Sequence, residues 1–274
     1  MLKGIVRQSC GILLGTFLLS GLAFAENGNT DCRDLPSQSE LKSALTAARG
    51  ASNGGFNLDM WGTIVNRDGV VCAVAFTGLD RGSEWPGSRV ISAQKANTAN
   101  AFSLSKNATG IPSLALSTAN LFSAVQPGGS LFGLQESNPV DTSVAYGGNS
   151  ANYGQHNDPM VGGKIGGVNV FGGGLALYKN DGHGNITLVG AIGVSGDTSC
   201  ADHEIAWRTR HTLSLDFVTV GVAAVFAGDA SHPDNIIYDI TQDAHGHDVS
   251  PTGFGHPRCF NTADPSLLPP ASHP

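Results

Sequence analysis

Apolar residues at Leu41, Leu45 and Ala48 follow Glu40 and two serines that can cap, Ser37 or Ser39, and stop at Gly50. That is the spacing of a short amphipathic helix with a capped start and a glycine end. The period then changes. Residues 60–66 and 70–77 are rich in β-branched and apolar side chains and flank Arg67-Asp68-Gly69, which predicts a β-hairpin. Pro86 opens a second helical run to about residue 104, carrying Val90, Ile91, Ala93, Lys95 and Ala96. A third runs over about 117–126 and ends at Pro127-Gly128-Gly129. Across about 130–167 no hydrophobic period persists, which predicts a long irregular insertion. Strands are expected at 168–171, 174–179 and 186–194, a last helix at 200–213, and short strands at 216–226 and 235–240. From His245 onward Pro, Gly and His prevail and no element is predicted.

Strands that arrive in hairpins, without regular βαβ alternation, predict the α+β class: an antiparallel sheet of about five strands flanked by helices. The expected organisation is a leader at 1–25, an N-terminal segment at 26–36, a domain at 37–213 and a C-terminal extension at 214–274 packed on it. The leader reading rests on Lys3 and Arg7, an apolar run at 11–19 and Ala23-Phe24-Ala25, the order of a cleavable secretion signal. That run is shorter than the roughly 20 residues needed to span a bilayer. A periplasmic or secreted protein is expected, with no insertion into the membrane.

The net charge of −7 supports the exclusion of nucleic acid as a partner, because phosphate backbones require a basic face. Loss of Lys3 and Arg7 with the leader would take it to −9. Four cysteines would remain: Cys32, Cys72, Cys200 and Cys259. None forms a C-x-x-C pair, so an oxidising compartment favours disulfides over metal thiolates. Sequence leaves three connectivities open; the preferred one joins Cys200 to Cys259 and Cys32 to Cys72. Neither a dinucleotide nor a P-loop glycine pattern is present. Ser195, in G-V-S-G-D, lacks the context of a nucleophile elbow, and no catalytic residue is assigned. Asn107 and Asn185 each open an Asn-x-Thr triplet.

The stretch LVGAIGVSGD at 188–197, continuing through Cys200, Ala201 and Asp202, resembles the signature strand, turn and helix of the GlcG/HbpS family of haem-binding proteins. VNRDGVVCAV at 65–74, ISAQKANTANAFS at 91–103 and FGGGLALY at 171–178 resemble that family's hairpin, Lys-Ala helix and glycine-rich strand start. The resemblance covers about 37–213 in the family's order. It implies a profilin- or PAS-like layered sandwich, a small-molecule ligand with haem as the expected cofactor, and assembly into homo-oligomers. It also implies a site at one end of the sheet built from Gly172, Gly173, Gly174, Lys95, Asp197, Asp202 and His203. His203 is the preferred axial ligand, with His156 and His183 as other candidates, and the absence of C-x-x-C-H makes any haem non-covalent. Gly193 and Gly196 are read as letting the chain turn sharply, and Asp197 and Asp202 as suiting a helix dipole. The insertion, the extension and the segments 83–86 and 152–156 depart from the family pattern.

Two alternatives belong to other classes. One is an enzyme or accessory protein acting on a small hydroxy acid. The other is a metal-binding tail, since Asp243, His245, His247 and Asp248 lie close in sequence, with His232 and His256 nearby.

Overall fold

The computed structural model of the chain describes residues 32–105 and 113–273. The expected leader and the Asn107 triplet lie outside the described residues. Helix α1 (Gln38–Arg49) begins with a reciprocal cap: the Ser37 hydroxyl accepts from the Glu40 amide, and the Glu40 carboxylate accepts from the Ser37 amide at 2.8 Å. Strands β1 (Trp61–Asn66) and β2 (Val71–Phe76) follow as a hairpin. Its turn is held by Asn66, whose Oδ1 accepts from the Asp68 and Val70 amides at 3.0 Å, with Gly69 in the left-handed region. Helix α2 (Ser88–Phe102), the short α3 (Thr142–Ala145), strands β3 (Gly174–Asn180) and β4 (Ile186–Ser195) and helix α4 (Ser199–Thr212) complete the central part. Beyond it come α5 (Val222–Ala227) and a small pair, β5 (Thr241–Gln242) and β6 (Asp248–Val249). Among the described residues no helix is long and apolar enough to cross a membrane.

The main sheet has the order β2-β1-β4-β3, with every neighbouring pair antiparallel. Alternation along the strands divides the core in two. Ile64, Leu175, Leu177, Ile192 and Val194 turn to the face covered by α1 and α4, where Leu41, Leu45, Ile205 and Trp207 meet them. Trp61, Val65 and Ala191 turn to the opposite face, under Val90, Ala93, Ala96 and Ala99 of α2. The class is α+β as expected, with four strands in the main sheet and β5-β6 standing apart.

Several expected elements take other forms. Residues 168–171 are not a strand, because the Asn169 amide donates to Thr98 Oγ1 on α2 at 2.9 Å instead of to a neighbouring strand. The run at 117–126 is two 3₁₀ turns, Thr118–Leu121 and Ser123–Val125; the buried Asn120 side chain donates to the Asn235 carbonyl and holds the first turn. Residues 222–227, inside the stretch read as a strand, form α5: VAAVFA between Gly221 and a left-handed Gly228 suits a short helix. Residues 235–240 are not assigned to any strand.

Both preferred disulfides, Cys32–Cys72 and Cys200–Cys259, are present. The C-terminal extension is built into the core: Leu268 and Ala271 join the α1–α4 face, Trp207 Nε1 donates to the Pro269 carbonyl at 2.8 Å, and Arg210 of α4 grips Asp234 with two nitrogens, at 2.6 and 2.8 Å. The insertion is anchored in the same way. Arg89 of α2 pairs with Asp158, donates to the Ala145 carbonyl and lies 3.6 Å over the Tyr153 ring.

Gly193 does not make a turn. It sits inside β4, where a Cβ would overlap the Ser92 carbonyl oxygen and come within 2.5 Å of the Ala96 amide, so α2 rests directly on its backbone. Gly193→Ala is expected to push α2 off the sheet and cost about 1–3 kcal/mol or more. A denaturant midpoint equal to wild type would show that the helix can give way.

Candidate functional site

The turn from β4 into α4 gathers chemistry from four distant segments. Thr198 caps α4 by accepting from the Ala201 amide. Asp197 therefore does not cap the helix. Its carboxylate accepts from the Phe56 and Leu58 amides at 2.9 Å and fixes the loop before β1. Asp202 lies one turn into α4, its Oδ1 accepting from the Asp197 amide and its Oδ2 paired with Lys95 Nζ at 2.7 Å. Lys95 reaches across from α2, fully buried, and donates also to the Val194 carbonyl at 3.0 Å at the end of β4. Burial pushes the lysine down and the aspartate up, while each charge favours the ionised form of the other.

The three glycines form one wall of this corner. A Cβ on Gly173, whose φ is +118°, would stand 2.9 Å from Lys95 Nζ and 3.1 Å from Asp202 Cβ. On Gly172 it would strike the Ser199 carbonyl and approach His203 Cβ to 3.0 Å; on Gly174 it would strike Thr118. Gly172, Gly173, Gly174, Lys95, Asp202 and His203 thus meet in one place, with Asp197 a step away. His245 and His247 do not: they sit on the exposed β5-β6 hairpin, where Asp243 accepts from both their amides and stabilises the turn. His156 and His183 are also exposed.

His203 is fully buried, and neither ring nitrogen makes a hydrogen bond of ordinary geometry. Desolvation, reinforced by the positive field of Arg210, depresses its pKa to about 3, although the Asn235 side chain stands near enough to favour the charged form. The ring is therefore a neutral imidazole. Two further groups on this side are buried and unpaired, Glu204 Oε2 and the Tyr238 hydroxyl. Burial raises Glu204 to about 7.

The C-terminal extension covers the corner. His256 Nε2 accepts from the Gly172 amide at 3.4 Å, its ring lies 5.1 Å from that of Phe122, and Cys259 is bonded to Cys200 at the start of α4. Burial also depresses His256, to about 4. Immediately outside lies a half-open groove of about 610 Å³, between Phe122, Gln126 and Gly129 on one side and Ile240, Val249 and Pro257 on the other. That volume is in the range of small-molecule sites. No residue lining it is a His, Met, Cys or Tyr.

The family model described as haem degrading protein HbpS-like matches residues 37–210. The chain belongs to this HbpS-like family. Two solved structures are similar to part of the chain: the Klebsiella pneumoniae protein ORFY, with 23% identity, 65% of this chain and 88% of that chain covered and a TM-score of 0.40, and a PduOC–haem complex, with 21% identity, 64% and 89% covered and a TM-score of 0.39. No curated protein matches the chain. The family match stops at Arg210, so the segment that seals the corner of this HbpS-like protein lies beyond it.

Sequence reasoning placed His256 only among the tail histidines and passed over Asn235, Tyr238 and Phe122. A single histidine in a Pro- and Gly-rich tail carries no periodic signal. The possible pointer was Cys259, three residues on, whose partner is Cys200.

Lys95→Met strands the buried Asp202 carboxylate and is expected to cost about 3–5 kcal/mol. Lys95→Met with Asp202→Asn keeps an acceptor for the Asp197 amide and should recover most of that loss. Equal denaturant midpoints for the single and double variants would refute the pairing.

A histidine held neutral in the fold but free to protonate when unfolded contributes stability that is full above about pH 6.5 and declines as pH falls toward the folded value. Glu84 and Glu204, both raised to about 7, act oppositely, losing stability as pH rises from about 4.5 through 7. Wild type and His203→Asn share those carboxyls, so their difference isolates the imidazole. That difference in unfolding free energy is expected to fall below pH 6.5 by up to about 1.4 kcal/mol per pH unit. A difference independent of pH would mean that His203 titrates alike in both states.

Proposed function

We propose that this protein is an extracytoplasmic haem-binding member of its family, with His203 as the iron-binding imidazole once the tail is lifted from the corner. The observation that carries the reading is His203 itself. Buried polar groups nearly always find hydrogen-bond partners, and leaving one without costs about 1–3 kcal/mol. A neutral imidazole whose nitrogens make no hydrogen bond of ordinary geometry, with only the Asn235 side chain beside it, is a fitting donor for a metal centre, and haem, when bound, supplies iron with axial positions to fill.

The donor fits and the closed form leaves no room. Ser199, Asn235 and His256 occupy the space around the Gly172–Gly174 wall, so a macrocycle requires residues 235–259 to swing outward. The groove beside Phe122 gives that movement a place to begin. Export is supported by the leader pattern at 1–25 and by two disulfides, which persist in oxidising compartments.

The test is a hemin titration of the chain without residues 1–25. A saturable, stoichiometric Soret shift is expected in wild type, faster in Cys259→Ser, whose tail is untethered, and lost in His203→Ala. Absence of a saturable shift in both wild type and Cys259→Ser sinks haem as the ligand. A shift untouched by His203→Ala sinks the residue assignment.

A further inference from the structure

We propose that Cys200, His256 and Cys259 form a zinc site when a thiol reductant opens the Cys200–Cys259 disulfide. The two sulfurs and a ring nitrogen of His256 all lie within 4.8 Å of one another, a spacing that one ion can bridge with little movement. At 2.7 Å from the Pro257 carbonyl, which can only accept, His256 Nδ1 must carry the proton. Nε2 therefore carries the lone pair, now turned to the Gly172 amide by a long contact of 3.4 Å that an ion would displace, and it lies 3.4 Å from Ser199 Oγ, itself 3.4 Å from Cys259 Sγ. A histidine anchored to a backbone carbonyl through one nitrogen while the other faces the ion is the usual outer-shell arrangement of metal ligands.

The sulfurs sit where a thiolate is favoured. Cys259 Sγ accepts from the Cys200 amide at 3.1 Å, in the first turn of α4, and the Ser199 hydroxyl lies beside it. Cys259 is the half-exposed member of the trio, so a reductant reaches the bond from its side. A small dithiol reduces the bond by exchange: it is oxidised to its own cyclic disulfide, and its two electrons and two protons leave Cys200 and Cys259 as thiols. Zn²⁺ then displaces the two thiol protons. Two thiolates and one imidazole balance the ion's charge and leave a fourth position for water, the pattern of an open zinc site. His256 and Cys259, three residues apart, would then hold the tail on α4 through the ion where the disulfide had held it.

The experiment uses the full chain without residues 1–25, reduced anaerobically by a phosphine and titrated with Co²⁺ as the spectroscopic substitute for Zn²⁺. Far-UV circular dichroism is recorded at each stage for wild type and variants. Expected are thiolate-to-cobalt charge-transfer bands and tetrahedral d–d bands saturating at one ion per chain, displaced by Zn²⁺ and absent in the oxidised protein. Cys259→Ser should abolish them, and His256→Ala should weaken binding by at least about tenfold. The proposal is overturned by absence of a stoichiometric site, by bands that survive Cys259→Ser, by affinity indifferent to His256→Ala, or by loss of the fold on reduction before metal is added. None of these outcomes depends on hemin binding, so this site and the haem reading stand or fall separately.

Discussion

A lysine ammonium shut away from water imposes order on one whole end of this molecule. The desolvation of Lys95 costs several kcal/mol and is offset only if its donors meet close, well-aimed acceptors. Asp202 and the Val194 carbonyl supply them, which joins α2, the end of β4 and the first turn of α4 at one point. The constraint propagates through Asp202, which takes the Asp197 amide, and through Asp197, which takes two amides of the loop before β1. The glycine wall follows from the same crowding, since a side chain at Gly173 would press on Lys95 Nζ.

Similar charge pairs bind the less regular parts of the chain to this frame. Arg89 holds the insertion through Asp158, and Arg210 holds the extension through Asp234, each pair buried. Removal of one partner from such a pair leaves a bare charge in the interior, so both segments belong to the folded core. The extension also seals the corner. The cost is visible in what it covers: His203, Glu204 and Tyr238 keep polar atoms without partners. Groups that lower stability in this way are commonly retained for function, and here they lie together on the side of α4 that the tail conceals.

Legibility in the sequence followed the range of the interactions. The Ser37–Glu40 cap, the Asn66–Gly69 turn and the alternation of β1 and β4 are local, and their residues announce them. Lys95, Asp202, His203 and the glycine triplet were named through a family likeness, and the fold does bring them together. The failures share a cause. Asn169, Asn120 and the 235–240 segment find their hydrogen bonds in distant parts of the chain, so their conformation has no periodic trace. Asp197 was read as suiting the helix dipole because it directly precedes α4, but Thr198 supplies the cap and the Asp197 carboxylate turns to the loop before β1.

By itself, then, the sequence determined the class and the order of the main elements, whereas the cysteine pairing was a preference among three and the site residues came through the family likeness. Class and element order depend on local spacing and on residue type. Only the tertiary structure decided that Gly193 serves helix contact instead of a turn, that the tail histidine at 256 outranks those at 245 and 247, and that the corner is closed. Each of those outcomes depends on which surfaces meet across long chain separations, and on the desolvation and exclusion that follow when they do.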